Sequence, residues 1–256
     1  MSVNIRHNNR KPKKTKVVSE QKAAAGRSIK AKFAEKSEEY INRNPLVPMN
    51  QQQAEYIYKI KNNPYVAACG FAGSSKTYIP TRIAVEKYLR GEIERIIIVR
   101  PAVSDSKSLG FFGGDILTKA KNWILPVLDV LEEFLGKNRV ELMLTRGDIL
   151  PVPLETIKGR SFKNSFIIVD EAEDLTKKEL IKCITRLGEH STMVFAGDIR
   201  QVDVRGGSGL EFAVQLASDE TMKDFWGIVD FDDPSEIVRS VPVKHTILRL
   251  TEIGEM

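Results

Sequence analysis

The chain has 256 residues, 42% hydrophobic and 29% charged, which is material for one sizeable core but not for two complete domains. No apolar run approaches the roughly 20 residues of a membrane span, and Met1–His7 lacks a signal-peptide core. Cys69 and Cys183 have neither metal-ligand nor disulfide-framework spacing, so the reading is a cytoplasmic chain with two reduced thiols and no zinc site.

The net charge of +5 is uneven. Residues 1–48 carry 12 Lys/Arg against 4 Asp/Glu, a local charge of +8, which leaves −3 for the rest. Residues 1–18 are basic and poor in core-forming side chains, and are expected to be disordered. From Glu20 to Arg43 the spacing of Ile29, Phe33, Tyr40 and Ile41 predicts a helix. This arm could attract phosphate backbones through counterion release, or it could be a solvated tail. Asn44-Pro45-Leu46-Val47-Pro48 then reads as a linker, leaving 49–256 as the second domain.

Beyond the linker, short β-branched runs alternate with longer helical stretches. Strands are predicted at Tyr65–Cys69, Arg95–Val99, Phe166–Val169, Met193–Ala196 and Lys244–Leu250, and helices at 50–62, 75–90, 115–135, 176–187 and 207–218. Continuous apolar runs such as Ile96-Ile97-Ile98-Val99 belong in a sheet covered on both faces, and alternation with helices implies parallel crossovers. The fold class is therefore α/β, three-layered, with a mostly parallel sheet whose ligands bind at the carboxyl ends of the strands.

The first predicted strand runs into Gly70-Phe71-Ala72-Gly73-Ser74-Ser75-Lys76-Thr77 and then a helix. This matches the phosphate-loop pattern G-x-x-x-x-G-K-[ST] except that Ser75 replaces the second glycine. The backbone N–H groups of such a loop curl around a β-phosphate, assisted by the positive end of the helix dipole. Gly70, Ala72, Gly73, Ser74 and Ser75 are thus candidate cradle residues. Lys76 would neutralise β/γ oxygens, and the Thr77 hydroxyl would ligate magnesium. Pro80 lies one turn into the helix, at the limit of where a missing N–H is harmless.

Two further strand ends carry polar groups. Phe166-Ile167-Ile168-Val169-Asp170-Glu171 has the form of a Walker B strand. Asp170 would hold magnesium there and Glu171 would polarise the attacking water. Val194-Phe195-Ala196-Gly197-Asp198 leads to Gln201, whose amide could hydrogen-bond a γ-phosphate or its attacking water.

Three such motifs in this order resemble the nucleotide-binding half of superfamily 1 helicases. The connecting segments are similar to those of the PhoH-like ATPases, including the short forms found in bacteriophages. Asn50-Gln51-Gln52-Gln53-Ala54-Glu55-Tyr56 resembles the T-x-x-Q-x-x-Y element, and Arg100-Pro101-Ala102-Val103 resembles R-P-A-V. Leu109–Asp115 resembles L-G-F-L-P-G-D, Lys158-Gly159-Arg160 resembles R-G-R, and Asp170-Glu171-Ala172-Glu173 resembles D-E-A-Q. Thr185–Gly188, Gly197–Asp203 and Glu236-Ile237-Val238-Arg239 complete a likeness covering residues 50 to about 245. Ser75, Asn50, Glu173 and Ser240 depart from the family pattern, the last standing where histidine usually follows the arginine.

The resemblance implies a RecA-like P-loop NTPase domain that binds ATP and Mg2+, with Gln53 reading the adenine edge and Lys76, Glu171, Gln201 and Arg239 serving hydrolysis. It also implies coupling to RNA or single-stranded nucleic acid, with the basic arm, Arg100 and Lys107 as candidate contacts. A single RecA-like domain lacks the second wall of a helicase site, so a ring-like homo-oligomer, hexameric in some relatives, is expected. Arg239, Arg205 or Arg186 would then complete a neighbour's site. The alternative is an oligomeric nucleotide switch or scaffold with little turnover.

Overall fold

The computed structural model describes residues 35–101, 123–202, 207–233 and 236–254. The chain forms two units that divide at Asn44 and Pro45. Of the first unit, residues 35–43 form helix α1, whose last turn is closed by the Asn44 side chain donating to the Tyr40 carbonyl at 3.0 Å.

In the second unit the β-branched runs become strands because each is buried on both faces. β1 (Tyr65–Gly70), β2 (Arg95–Arg100), β4 (Ser165–Val169) and β5 (Thr192–Ala196) form the centre of the sheet, and Ile96 to Val99 are wholly buried. β3 (Ile149–Pro153) and β6 (Trp226–Phe231) form its edges. The order is β3-β2-β4-β5-β1-β6 and every pairing is parallel.

The intervening helices are α2 (Gln51–Asn62), α3 (Tyr78–Arg90), α4 (Leu125–Leu135), α5 (Lys137–Arg146), α6 (Lys177–Ile184), α7 (Gly209–Ala217) and α8 (Val241–Glu252). Ala67, Cys69, Ile97, Val99, Ile167, Val169 and Phe195 point to one face of the sheet, against Leu180 of α6 and Leu210 and Ala213 of α7. The alternate residues, Val66, Ala68, Ile96, Ile98, Ile168 and Val194, are equally buried on the other face. There α3 packs on β2 and β4, and α2 on β1 and β6. The result is the three-layer, RecA-like architecture expected of a P-loop NTPase domain, with a sheet that is wholly parallel.

The crossover after β1 runs over one face and the crossover after β5 over the other, although the two strands are neighbours. This is the topological switch point at which an open α/β sheet leaves a crevice at its carboxyl edge.

Several expectations require correction. Lys244–Leu250, expected as a strand, lies within α8. Pro242 opens that helix, and Ile247 packs with Phe71 and Ile237 while Val243 stays exposed, so its branched residues serve one helical stripe. β3, β6 and α5 were not anticipated. Leu109–Asp115, Lys107 and Arg205 lie outside the described residues, as do residues 1–34. Cys69 and Cys183 are free, buried thiols, each pushed up to about 12, chiefly by burial. Among the described residues no helix is long and apolar enough to cross a membrane.

Candidate nucleotide-binding site

A cavity of about 500 Å³ opens at the carboxyl edge, on the segments that follow β1, β4 and β5. Ala72, Gly73, Ser75, Lys76 and Thr77 line one wall; Asp170, Glu171 and Glu173 line a second; Ala196, Gly197, Asp198 and Gln201 line a third. Val238 and Arg239 close it from the carboxyl-terminal side, and Pro126 and Val130 from α4.

The phosphate loop is held from behind. Pro80 has no N–H to offer the carbonyl of Lys76, four residues earlier, whereas Ile79 and Thr81 donate to Ser75 and Thr77 at 3.0 and 3.3 Å. The Tyr56 hydroxyl on α2 fills the gap, donating to the Lys76 carbonyl at 2.9 Å. Tyr56 is wholly buried, which pushes its pKa well up and keeps it a neutral donor. Asn50, in the place of the family's threonine, caps α2 by accepting from the Gln53 amide at 2.8 Å, the task a threonine would perform.

Ser75 stands at φ +74, the left-handed region that glycine adopts without penalty. Its hydroxyl meets the Gln53 side-chain amide at 3.4 Å, while the Gln53 carbonyl oxygen accepts from the Met49 amide at 2.8 Å. Gln53 is buried behind the loop and does not line the cavity; Gly70 and Ser74 also lie behind the wall. Gly73 has a different constraint. A Cβ there would stand 2.5 Å from Arg239 Cγ, and its carbonyl accepts from the Val238 amide at 3.0 Å. Arg239 therefore lies across the phosphate loop of its own chain.

Lys76 is nearly buried, and its ammonium donates to the Gly70 and Phe71 carbonyls, each at 2.6 Å. Burial lowers its pKa, against the pull of Asp198 and Glu173. Beside it the Thr77 hydroxyl donates to Asp170 Oδ1 at 2.7 Å, joining groups 93 residues apart. Asp170 is 5% exposed and its pKa is raised by burial, with the Thr77 hydrogen bond opposing. A hydroxyl and a carboxylate so placed are the hard oxygen donors that suit Mg2+, which takes one or two protein ligands and completes its shell with phosphate and water.

Glu171 adopts φ +52 at the tip of β4 and pairs with Arg100 at 2.7 Å. Arg100 also donates to the Trp123 carbonyl at 3.2 Å, so this candidate nucleic-acid contact is tied to the site. Gln201 donates to Asp198 Oδ2 at 3.2 Å, and Asp198 also binds the Arg200 guanidinium at 2.9 Å. Arg200 lies 3.5 Å over the Phe71 ring, fixing the third wall to the phosphate loop. Tyr56 and Arg200 carry structural roles that motif spacing did not disclose. Arg186, bonded to the Arg160 carbonyl and Thr185, is away from the cavity.

Comparison with known proteins agrees with this geometry. Residues 45–251 match the family described as PhoH-like protein. The PhoH-like protein of Bacillus subtilis is 36% identical over 190 residues, 73% of this chain and 58% of that protein. The PhoH-like protein of Synechocystis is 36% identical over 170 residues, 66% and 52%. Protein PhoH of Escherichia coli K12 is 34% identical over 208 residues, 80% and 58%. The chain thus spans little more than half the length of these relatives. With a phosphate loop, a strand-tip carboxylate and a Gly-Asp turn converging on one cavity, and with these matches, the chain belongs to the PhoH-like family of P-loop NTPases.

Proposed function

We propose that this chain binds ATP with Mg2+ in the carboxyl-edge cavity and hydrolyses it, and that hydrolysis is coupled to RNA or single-stranded nucleic acid. The observation that supports the reading is the 2.7 Å contact between Thr77 and Asp170, a phosphate-loop hydroxyl beside a strand-tip carboxylate, the two residues that would hold Mg2+. Held by Thr77 and Asp170, the ion would supply positive charge to offset that of the triphosphate.

The chain's own residues supply the rest. Lys76 leaves the Gly70 and Phe71 carbonyls for phosphate oxygens, and the loop amides from Ala72 to Thr77 cradle the β-phosphate. Glu171, freed from Arg100, accepts the proton of the attacking water as the bond between the γ-phosphorus and its bridging oxygen breaks. Gln201, oriented by Asp198, positions that water, and Arg239 meets the phosphates from its own subunit. The remaining side would be closed by a second copy in a ring-like homo-oligomer. Arg186 or Arg205 would then act in a neighbour's site, an arginine contribution of about 10³–10⁵ in rate.

A second reading, an oligomeric nucleotide switch with little turnover, draws on the Arg100–Glu171 ion pair, which occupies the carboxylate that hydrolysis needs. ATP turnover with and without single-stranded RNA, beside Glu171→Gln, separates the two. RNA-stimulated turnover that the variant abolishes supports the coupled ATPase. Tight binding with no turnover under either condition overturns it in favour of the switch.

A further inference from the structure

Glu173 lines the cavity but has no part in the chemistry proposed for Asp170, Glu171 and Asp198. It follows β4 in a short 3-10 turn, Ala172–Asp174, anchored where the Ser208 hydroxyl donates to the Glu173 carbonyl at 2.8 Å. Its side chain is 97% buried yet lines the cavity, and Oε2 has no hydrogen-bond partner. Gly197 opposite makes room for it, since a Cβ there would stand 2.1 Å from that oxygen. A buried polar oxygen aimed into a ligand cavity without a partner costs free energy until a ligand supplies one.

The charged and titratable groups facing it come from each neighbouring element. Glu171 lies on its own segment, Asp198 at the end of β5, Lys76 on the phosphate loop and Cys69 on β1; α7 contributes the apolar Leu210. An ionised carboxylate among two acids would repel a triphosphate. A neutral acid would donate to one.

Resting on the nucleotide reading of the site, we propose that Glu173 acts as a neutral carboxylic acid whose hydroxyl donates a hydrogen bond to the terminal phosphate of a bound nucleoside triphosphate. The preference for triphosphate over diphosphate therefore falls away in alkaline solution. Burial first, and the neighbouring Glu171 as well, raise its pKa from 4.5 to about 8, against the pull of the Glu173 and Asp198 backbone amides.

The test compares the full chain with Glu173→Gln, which keeps a neutral donor at every pH. Dissociation constants for a non-hydrolysable ATP analogue and for ADP, both with Mg2+, are measured from about pH 6.5 to 9.5. The neutral fraction falls about tenfold for each pH unit above the pKa, so the wild-type preference for the analogue should drop about tenfold across the alkaline half of this range, while the variant stays flat. A second readout needs no nucleotide. A raised carboxyl pKa gives stability that is complete below the unfolded value of 4.5 and is lost as pH rises through about 8. The melting temperature of the wild type should therefore fall relative to the variant over that window. Intact ATP binding with parallel pH profiles in both chains would overturn this inference alone. Absence of ATP binding by the wild type near neutral pH would overturn the nucleotide reading and this inference with it.

Discussion

The Tyr56 hydroxyl takes the place of the backbone N–H that Pro80 cannot offer to the carbonyl of Lys76. A proline in the first turn of a helix removes an N–H that is expendable there. Here it frees a carbonyl that α2 uses to hold the phosphate loop from behind. Tyr56→Phe should leave that buried carbonyl without a donor and destabilise the protein by about 1–3 kcal/mol. Pro80→Ala in the same chain restores an N–H four residues on, so a double-mutant cycle read by urea unfolding should show a favourable coupling between the two changes. Additive effects would contradict the assignment.

Ser75 occupies a left-handed backbone position at φ +74. A non-glycine residue there costs about 1–2 kcal/mol, and glycine's greater freedom in the unfolded chain offsets about 0.4–1 kcal/mol of what its introduction regains. Ser75→Gly should therefore raise stability by up to about 1 kcal/mol without weakening nucleotide binding. Ser75→Ala keeps the strain and loses the Gln53 contact, so its melting temperature should not rise.

Gly73→Ala places a methyl group on Arg239 and holds an L-residue at φ +84. Both effects destabilise, together by about 1–3 kcal/mol. Adding Arg239→Ala removes the clash but not the strain, so the double variant should recover part of the loss. Full recovery, or none, would show that the two side chains do not meet as described.

Arg100 and Glu171 are 20% and 40% exposed, so their ion pair is screened and amounts to about 0.2–1 kcal/mol. Arg100→Ala should release Glu171, raise basal ATP turnover up to about fivefold, and reduce the further stimulation by RNA. Lower basal turnover would indicate that Arg100 positions Glu171 productively instead.

The central strands and the three strand-end motifs were legible because burial on both faces demands unbroken β-branched runs, and phosphate chemistry demands particular residues at fixed offsets. The edges were not. β3 contains Pro151 and Pro153, which read as strand breakers; two residues apart, they turn the same way, toward the open edge where no ladder hydrogen bond is lost. β6 carries Gly227 and Asp230, which break its apolar pattern, and its pairing with β1 and packing under α2 organise it. Lys244–Leu250 misled because branched residues suit a strand, whereas Pro242 sets a helix start and a single buried stripe suffices there. At the site, Lys76, Thr77, Asp170 and Glu171 follow from spacing. The burial of Gln53, the passage of Arg239 over its own loop, and the burial of the Glu173 carboxyl against Gly197 depend on contacts between distant segments, which no local pattern carries.

Binding of Mg2+ and ATP to the full chain, measured by calorimetry beside Lys76→Ala and Asp170→Asn, tests the account most directly. The wild type should bind ATP in a magnesium-dependent manner, and each variant should lose about tenfold or more in affinity while melting as a folded protein. Equal affinity in all three chains, or binding indifferent to magnesium, would contradict the assignment of this cavity as the nucleotide site.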